Sequence, residues 1–245
     1  MLYILLLFVS LLFVYFYFTR RAVDKAIPTK ARRKQQNDHL ERLRRDRMVN
    51  DFVLTSAVFP ALDNDIEPQE GYRLYKNDGF YKINGGCLII ASVSAEKMRN
   101  VFLSLLRRIG PVMSVSFEDF YSDDRNVIDY LSYDRDLFVV ENLFDRYWRM
   151  IQNNHDLKVS VFSAFPKVEL IVTRVKTINI HVVEPVPFIE VLEEYGLREK
   201  PQMRFFIEGT YYAYNDYAGT DTFFRLTSEL EVHEKRFYEK REMIE

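Results

Sequence analysis

Cysteine is nearly missing from this chain: of its 245 residues one, Cys87, carries a thiol. A single thiol forms no internal disulfide, so a disulfide-stapled secreted scaffold is excluded, as is a zinc site built on several cysteines. Glycine and proline are sparse, at eight residues each, which excludes collagen and low-complexity linkers. The four histidines, His39, His155, His181 and His233, show neither H-x-x-x-H nor H-E-x-x-H spacing, so no metalloprotease-type site is expected. Neither the Walker pattern nor G-x-G-x-x-G occurs. Gly85-Gly86 therefore reads as a turn, Cys87 as a small core residue with no partnering base, and no cofactor is expected.

Hydrophobic residues make up 48% of the chain and charged residues 29%, enough apolar material for one large unit or two small ones. That material is unevenly placed. Residues 1–18 contain no charged side chain and only Ser10 as a small polar interruption. Eighteen helical residues reach roughly 27 Å, near the lower limit for one bilayer crossing. A cleaved secretory signal would need a positive leading region and small residues before the cut, and neither is present. The expectation is an uncleaved signal-anchor over residues 1–19.

Charge orients it. Between residues 20 and 47 eleven Lys and Arg face four acids, a net of +7, so the rest of the chain carries −9 beneath an overall −2. Basic residues flanking a span stay on the cytoplasmic side, which puts the amino terminus outside and the body in the cytoplasm. Tyr15 and Tyr17 fall where an aromatic belt would meet Arg20 and Arg21. Arg32, Arg33 and Lys34 continue the basic collar toward the anionic lipid surface. No aromatic interleaves with these bases to stack on a nucleobase, and the body is acidic, so the bilayer is the expected partner rather than nucleic acid. Residues 20–50 then form a basic juxtamembrane linker, with a mostly solvated helix over 36–50.

The remainder reads as α/β, with a mixed sheet and amphipathic helices. Asn77-Asp78-Gly79, between residues 72–76 and 80–83, is a hairpin signal. Residues 87–93 form a short β-branched apolar run, and from Ser94, placed as a helix cap, Met98, Val101, Phe102, Leu105, Leu106 and Ile109 recur on one helical face. Met113, Val115 and Phe117 then alternate with polar residues as a strand. Strand, helix, strand in that order implies a right-handed crossover and a locally parallel pair. Residues 121–136 are polar and acidic and read as a long loop or short helix. A second amphipathic helix covers 139–151, strands follow over 157–165, 167–172 and 176–183, and a short helix over 187–195 stops at Gly196. A long strand is expected over 202–214 and a last helix over 220–236. Residues 51–154 and 155–245 thus form two α/β halves, each reading as three strands, helix, strand, helix: a possible duplicated βββαβα unit.

Two constellations carry candidate chemistry. Glu118, Asp119, Asp123, Asp124, Asp129, Asp134 and Asp136 form the densest acidic stretch. Carboxylates at the end of a strand can hold Mg²⁺ or Ca²⁺, with Asp119, Asp123 and Asp124 the candidate ligands. Arg125 and Arg135 interrupt the stretch, and its spacing matches no calcium loop. Tyr211, Tyr212, Tyr214 and Tyr217 form the second group, an apolar surface with polar handles suited to a protein partner. No connected nucleophile, base and metal set is legible. The expected function is that of a single-pass membrane protein whose cytoplasmic body is a protein-binding or assembly module in a membrane complex. The alternatives are a membrane-tethered enzyme using a divalent ion at 118–136, or a lumenal or periplasmic assembly factor.

Overall fold

The computed structural model describes residues 30–76, 86–120, 126–215 and 220–239. The expected span with Tyr15 and Tyr17, the bases Arg20 and Arg21, the turn Asn77-Asp78-Gly79 and the strand at 80–83 lie outside them, as do Asp123, Asp124 and Tyr217. No helix among the described residues is long and apolar enough to cross a membrane. Two compact units divide the chain, Met1–Arg42 and Leu43–Glu245. Helix α1, Lys30–Asp46, begins in the first, where Arg32, Arg33 and Lys34 are exposed, and starts earlier than the collar pattern predicts.

The second unit is mixed α/β, built on an eight-stranded sheet. Its strands are β4 (Gly71–Lys76), β5 (Cys87–Ser92), β6 (Val112–Asp119), β7 (Asn126–Asp136), β8 (Leu157–Ser163), β9 (Val168–Val172), β10 (Ile178–Val182) and β12 (Glu234–Glu239). Their order across the sheet is β12-β7-β6-β8-β9-β10-β5-β4, and every neighbouring pair is antiparallel. Four helices cover one face: α2 (Ala95–Leu106), α3 (Leu137–Asn153), α4 (Val186–Glu194) and α5 (Thr220–Glu229). They lie side by side in the order α4-α2-α3-α5.

The periodicity of each element explains this arrangement. In α2, Met98, Val101, Phe102, Leu105 and Leu106 are all buried, and each such side chain contributes about 1.5–3 kcal/mol on leaving water. Ser94 does not cap the helix with its side chain; its hydroxyl instead accepts the Val53 N–H at 2.8 Å. Asp136 caps α3 by accepting the Phe138 N–H at 2.8 Å. In β6, Met113, Val115 and Phe117 point into the helix layer as expected, while Ser116 faces the other way, its hydroxyl donating to Asp129 at 3.2 Å.

The expected parallel pair is not formed. β5 and β6 run in the same direction, but β10, β9 and β8 stand between them. Those three strands are a meander joined by short turns, which can be inserted between two earlier strands without a crossover of its own. The stretch 121–136 is also not a loop where it is described: 126–136 is the long strand β7, whose Tyr130 packs into the core while Asp129 lies on the opposite face. Its acids mask an alternation that packing alone reveals.

The carboxyl-terminal third departs furthest from the pattern. Of the strand expected over 202–214, only Tyr211–Ala213 forms one, β11, and it pairs with β3 (Val58–Pro60) apart from the large sheet. Upstream, residues 206–208 form a 3-10 turn, and the Asn64 amide donates to the carbonyls of Phe206, at 2.7 Å, and Thr210, at 2.8 Å. Gly209 makes this approach possible, since a Cβ there would overlap Asn64. Helix α5 ends at Glu229, seven residues before the predicted stop, where Glu231 takes a positive φ of 50° and the chain turns into β12.

A hairpin, β1 (Met48–Val49) with β2 (Phe52–Val53), completes the unit. Strands from both 51–154 and 155–245 interleave in the large sheet. The duplicated order does not persist: β7 separates β6 from α3, whereas β11, the counterpart of β6, lies outside the sheet.

Candidate functional site

The carboxyl end of β6 and the start of β8 bring acid and base groups together from distant segments. Asp119 is the last residue of β6, opposite Leu157 of β8. Just before β8, the Asp156 carbonyl accepts the Phe120 N–H at 2.9 Å. His155 Nδ1 lies 3.6 Å from the Asp156 carboxylate and the Arg174 guanidinium 3.7 Å from it, while the Asn215 amide donates to its second oxygen. Arg174 is itself held by the His155 carbonyl at 3.3 Å and by the Phe120 ring, 4.0 Å from its guanidinium carbon.

These surroundings drive the two carboxyls apart. The His155 contact, the Asn215 hydrogen bond and the charge of Arg174 hold Asp156 below the ordinary carboxylate range against the opposing effect of burial. Asp119 goes the other way: burial first, then the charge of Asp156, push its pKa up to about 6, with Lys235 opposing. One carboxyl is thus a fixed anion and its neighbour exchanges a proton near pH 6, a division of labour that suits acid–base chemistry or a cation. Among the described residues no three His, Cys, Asp or Glu side chains converge on a point where a metal ion could sit.

Nearby, Lys176 is buried in the turn between β9 and β10 with a φ of 63°. Its ammonium donates to the carbonyls of Ile151, at 2.9 Å, and Leu157, at 3.1 Å, joining the last turn of α3 to the first residue of β8. Burial draws its pKa down to about 7, Arg174 adding to the effect and Asp156 opposing it.

The tyrosine group is partly consumed by the fold. Tyr214 packs edge-on to Phe59, lies under Arg44 at 4.0 Å and donates its N–H to the Ala57 carbonyl at 2.7 Å. Tyr211 and Tyr212 belong to β11, with Tyr211 the more exposed. Residues 43–47 enter the second unit at this same end of the sheet: Arg47 bonds Ser56, whose N–H reaches Asn153 at the end of α3.

The opposite end holds a groove that the pattern of residues did not single out. On the face of the sheet away from the helices, Phe162 of β8, Glu169 of β9 and His181 of β10 stand in one cross-strand row. With Ser163, Ala164, Lys167 and Val168 they line an open groove of about 510 Å³. Burial and the charge of Lys158 hold His181 below its ordinary pKa, against the pull of Glu169, so its imidazole is neutral at pH 7. Several exposed apolar side chains lie at this end of the sheet: Val112 opens β6, Phe165 sits in the β8–β9 turn and Val183 follows β10, while Phe138 and Val186 stand in the first turns of α3 and α4 on the helix side. Phe165 is 94% exposed. The one available signal was Phe165-Pro166 itself, a large apolar residue in a hairpin turn.

A second, polar groove of about 590 Å³ runs between residues 50–52, 65–70 and 200–204. Most of its charged groups already have partners: Glu67 with Asn50, Glu70 with Lys97, Lys200 with Gln69 and Arg204 with Asp65. The Phe162–His181 groove differs, because among the described residues Lys167 and Glu169 form no ion pair. Compared with known proteins, the chain matches no family model, no curated protein and no solved structure.

Proposed function

We propose that the chain is a single-pass membrane-anchored protein whose cytoplasmic body acts as an assembly module in a membrane complex, contacting its protein partner through the Phe162–His181 groove. The supporting observation is the open groove floored by Phe162 and His181, with Phe165 exposed in the turn beside it and with Lys167 and Glu169 forming no ion pair among the described residues, since exposed apolar surface rimmed by polar groups marks an interaction site. It lies at the end of the sheet opposite the β8 start and the α3 end, where Arg47 is bonded through Ser56 to Asn153. The anchor rests on the uncharged residues 1–18 and the net +7 that follows.

The test uses the full chain in native membranes. An anchored protein stays in the membrane pellet after alkaline carbonate washing, and its body is digested by protease added from the cytoplasmic side. Release by carbonate would sink the anchor, and protection from protease would put the body in a lumen or periplasm. After cross-linking in intact cells, a stoichiometric partner should be lost on Val183→Asp with Phe138→Asp and kept when the span is exchanged for another.

The raised pKa of Asp119 beside the anionic Asp156 favours one second reading, a membrane-tethered enzyme using a divalent ion at this end of the sheet. Millimolar Mg²⁺ or Ca²⁺ would then raise the melting temperature of the full chain, and Asp119→Asn would abolish the rise. An unchanged melting temperature counts against it.

A further inference from the structure

We propose that the occupant of the groove is a second copy of this chain, the Phe165 turn of each copy seated in the Phe162–His181 groove of the other. This deepens the assembly reading and rests on it. A two-fold interface must be self-complementary, each surface carrying both a projection and the recess that receives it. Here the two sit side by side. Phe165 projects from the β8–β9 turn, 94% exposed, and is not among the side chains lining the adjacent groove. Its turn is held in shape by the Ser163 hydroxyl, which accepts the Phe165 N–H and donates to the Phe165 carbonyl, each at 3.2 Å. The projection is thus presented by an ordered turn rather than a loose one, which lowers the entropy lost on docking.

The charges have the same self-complementary order. Lys167 and Glu169 both line the groove and, among the described residues, neither has an ion-pair partner. Lys167 closes the β8–β9 turn, one residue before the start of β9, and Glu169 is the second residue of that strand. Around a two-fold axis between the turns, Lys167 of each copy meets Glu169 of the other, so the pair forms twice. The floor suits an apolar guest: the Phe162 ring lies next to Glu169 in the row, and His181 beyond it is neutral at pH 7. Val183, two residues beyond His181, is also exposed at this end of the sheet. The contact expected is weak, with a dissociation constant in the micromolar range.

Sedimentation equilibrium of the full chain in density-matched detergent at about 100 µM should report a dimer. Lys167→Glu sets acid against acid twice and should weaken the dimer about tenfold or more, as should Glu169→Lys. The double exchange of Lys167→Glu with Glu169→Lys recreates the pair in reverse and should restore dissociation to within about threefold of the parent. Phe165→Ser should leave a monomer. Phe165 and Lys167 are exposed and Glu169 half-buried, and an unchanged circular dichroism spectrum identifies folded variants. A monomeric parent overturns the proposal, as does a dimer indifferent to these substitutions or one that the double exchange fails to restore. A monomeric parent that still captures a different protein, in a manner dependent on Val183 and Phe138, would overturn self-pairing while leaving the assembly reading intact.

Discussion

At about pH 10, where the proton that burial denies Lys176 no longer weighs against the fold, Lys176→Ala should lower stability by about 3–5 kcal/mol, because two buried carbonyls lose their donor at once. The Ile151 carbonyl belongs to the last turn of α3, where no intrahelical N–H remains to bond it, and the Leu157 carbonyl opens β8. Each orphaned acceptor costs about 1–3 kcal/mol, and loss of the aliphatic stem adds to the deficit. Lys176→Met retains most of the stem and should cost less, isolating the hydrogen-bonding share. The pH dependence separates the charge. The unfolded chain holds the Lys176 proton up to the ordinary value of 10.5, whereas burial brings the folded value to about 7. Between those limits the unfolded state binds more protons, so stability rises with pH from about 7 to 10 in the parent. The methionine variant lacks this contribution. Urea titrations of the full chain, followed by fluorescence of Trp148, the one tryptophan, would measure both effects. Parallel pH profiles for parent and Lys176→Met would refute the account.

Phe102→Ala should be comparably damaging, at about 3–5 kcal/mol, for a different reason. Phe102 is fully buried where α2 meets α3, its ring centroid 5.6 Å from that of Phe144 and 5.3 Å from that of Trp148. Truncation removes the ring from both neighbours and leaves a cavity that two helices fixed to one sheet cannot close. Trp148 gives the local readout: its indole N–H is buried with no acceptor among the described residues, so it depends on packing to stay in place. The melting temperature of a unit this size should fall by about 2–4 °C for each kcal/mol lost. A loss below about 1 kcal/mol would mean that the helix layer repacks freely.

Much of this fold was legible because one side of each element is buried and the other is not. The run from Met98 to Leu106 and the alternation of Met113, Val115 and Phe117 need only their own neighbours to be read. β7 was not legible, since Asp129 sits on the open face of a strand next to the sheet edge, where acids cost little, and Asp134 takes a positive φ of 53° where the β6–β7 register shifts. Residues 202–210 failed for a non-local reason: Phe206–Glu208 form a 3-10 turn, and a side chain more than a hundred residues away, Asn64, pins the Phe206 and Thr210 carbonyls. The neighbourhood of Asp119 shares that limit, because Asp156, Arg174 and Asn215 approach one another only after the sheet has closed. Lys176 reads as the first residue of a strand. That its ammonium crosses to a helix end cannot be seen from either flank.

The antiparallel sheet also has an order of arrival. β5 is flanked in space by β4, which precedes it, and by β10, made some 86 residues later. At about 5–20 residues per second, the hairpin side of the sheet leaves the ribosome roughly 4–17 s before the strand that covers its inner edge. During that interval the backbone of residues 87–92 presents an unpaired edge, with only β4 and the newly formed α2 to shelter Ile89 and Ala91. The interior position that protects β5 in the finished protein is therefore its exposure during synthesis, and the nascent chain is most open to mispairing at a strand that ends up with neighbours on both sides.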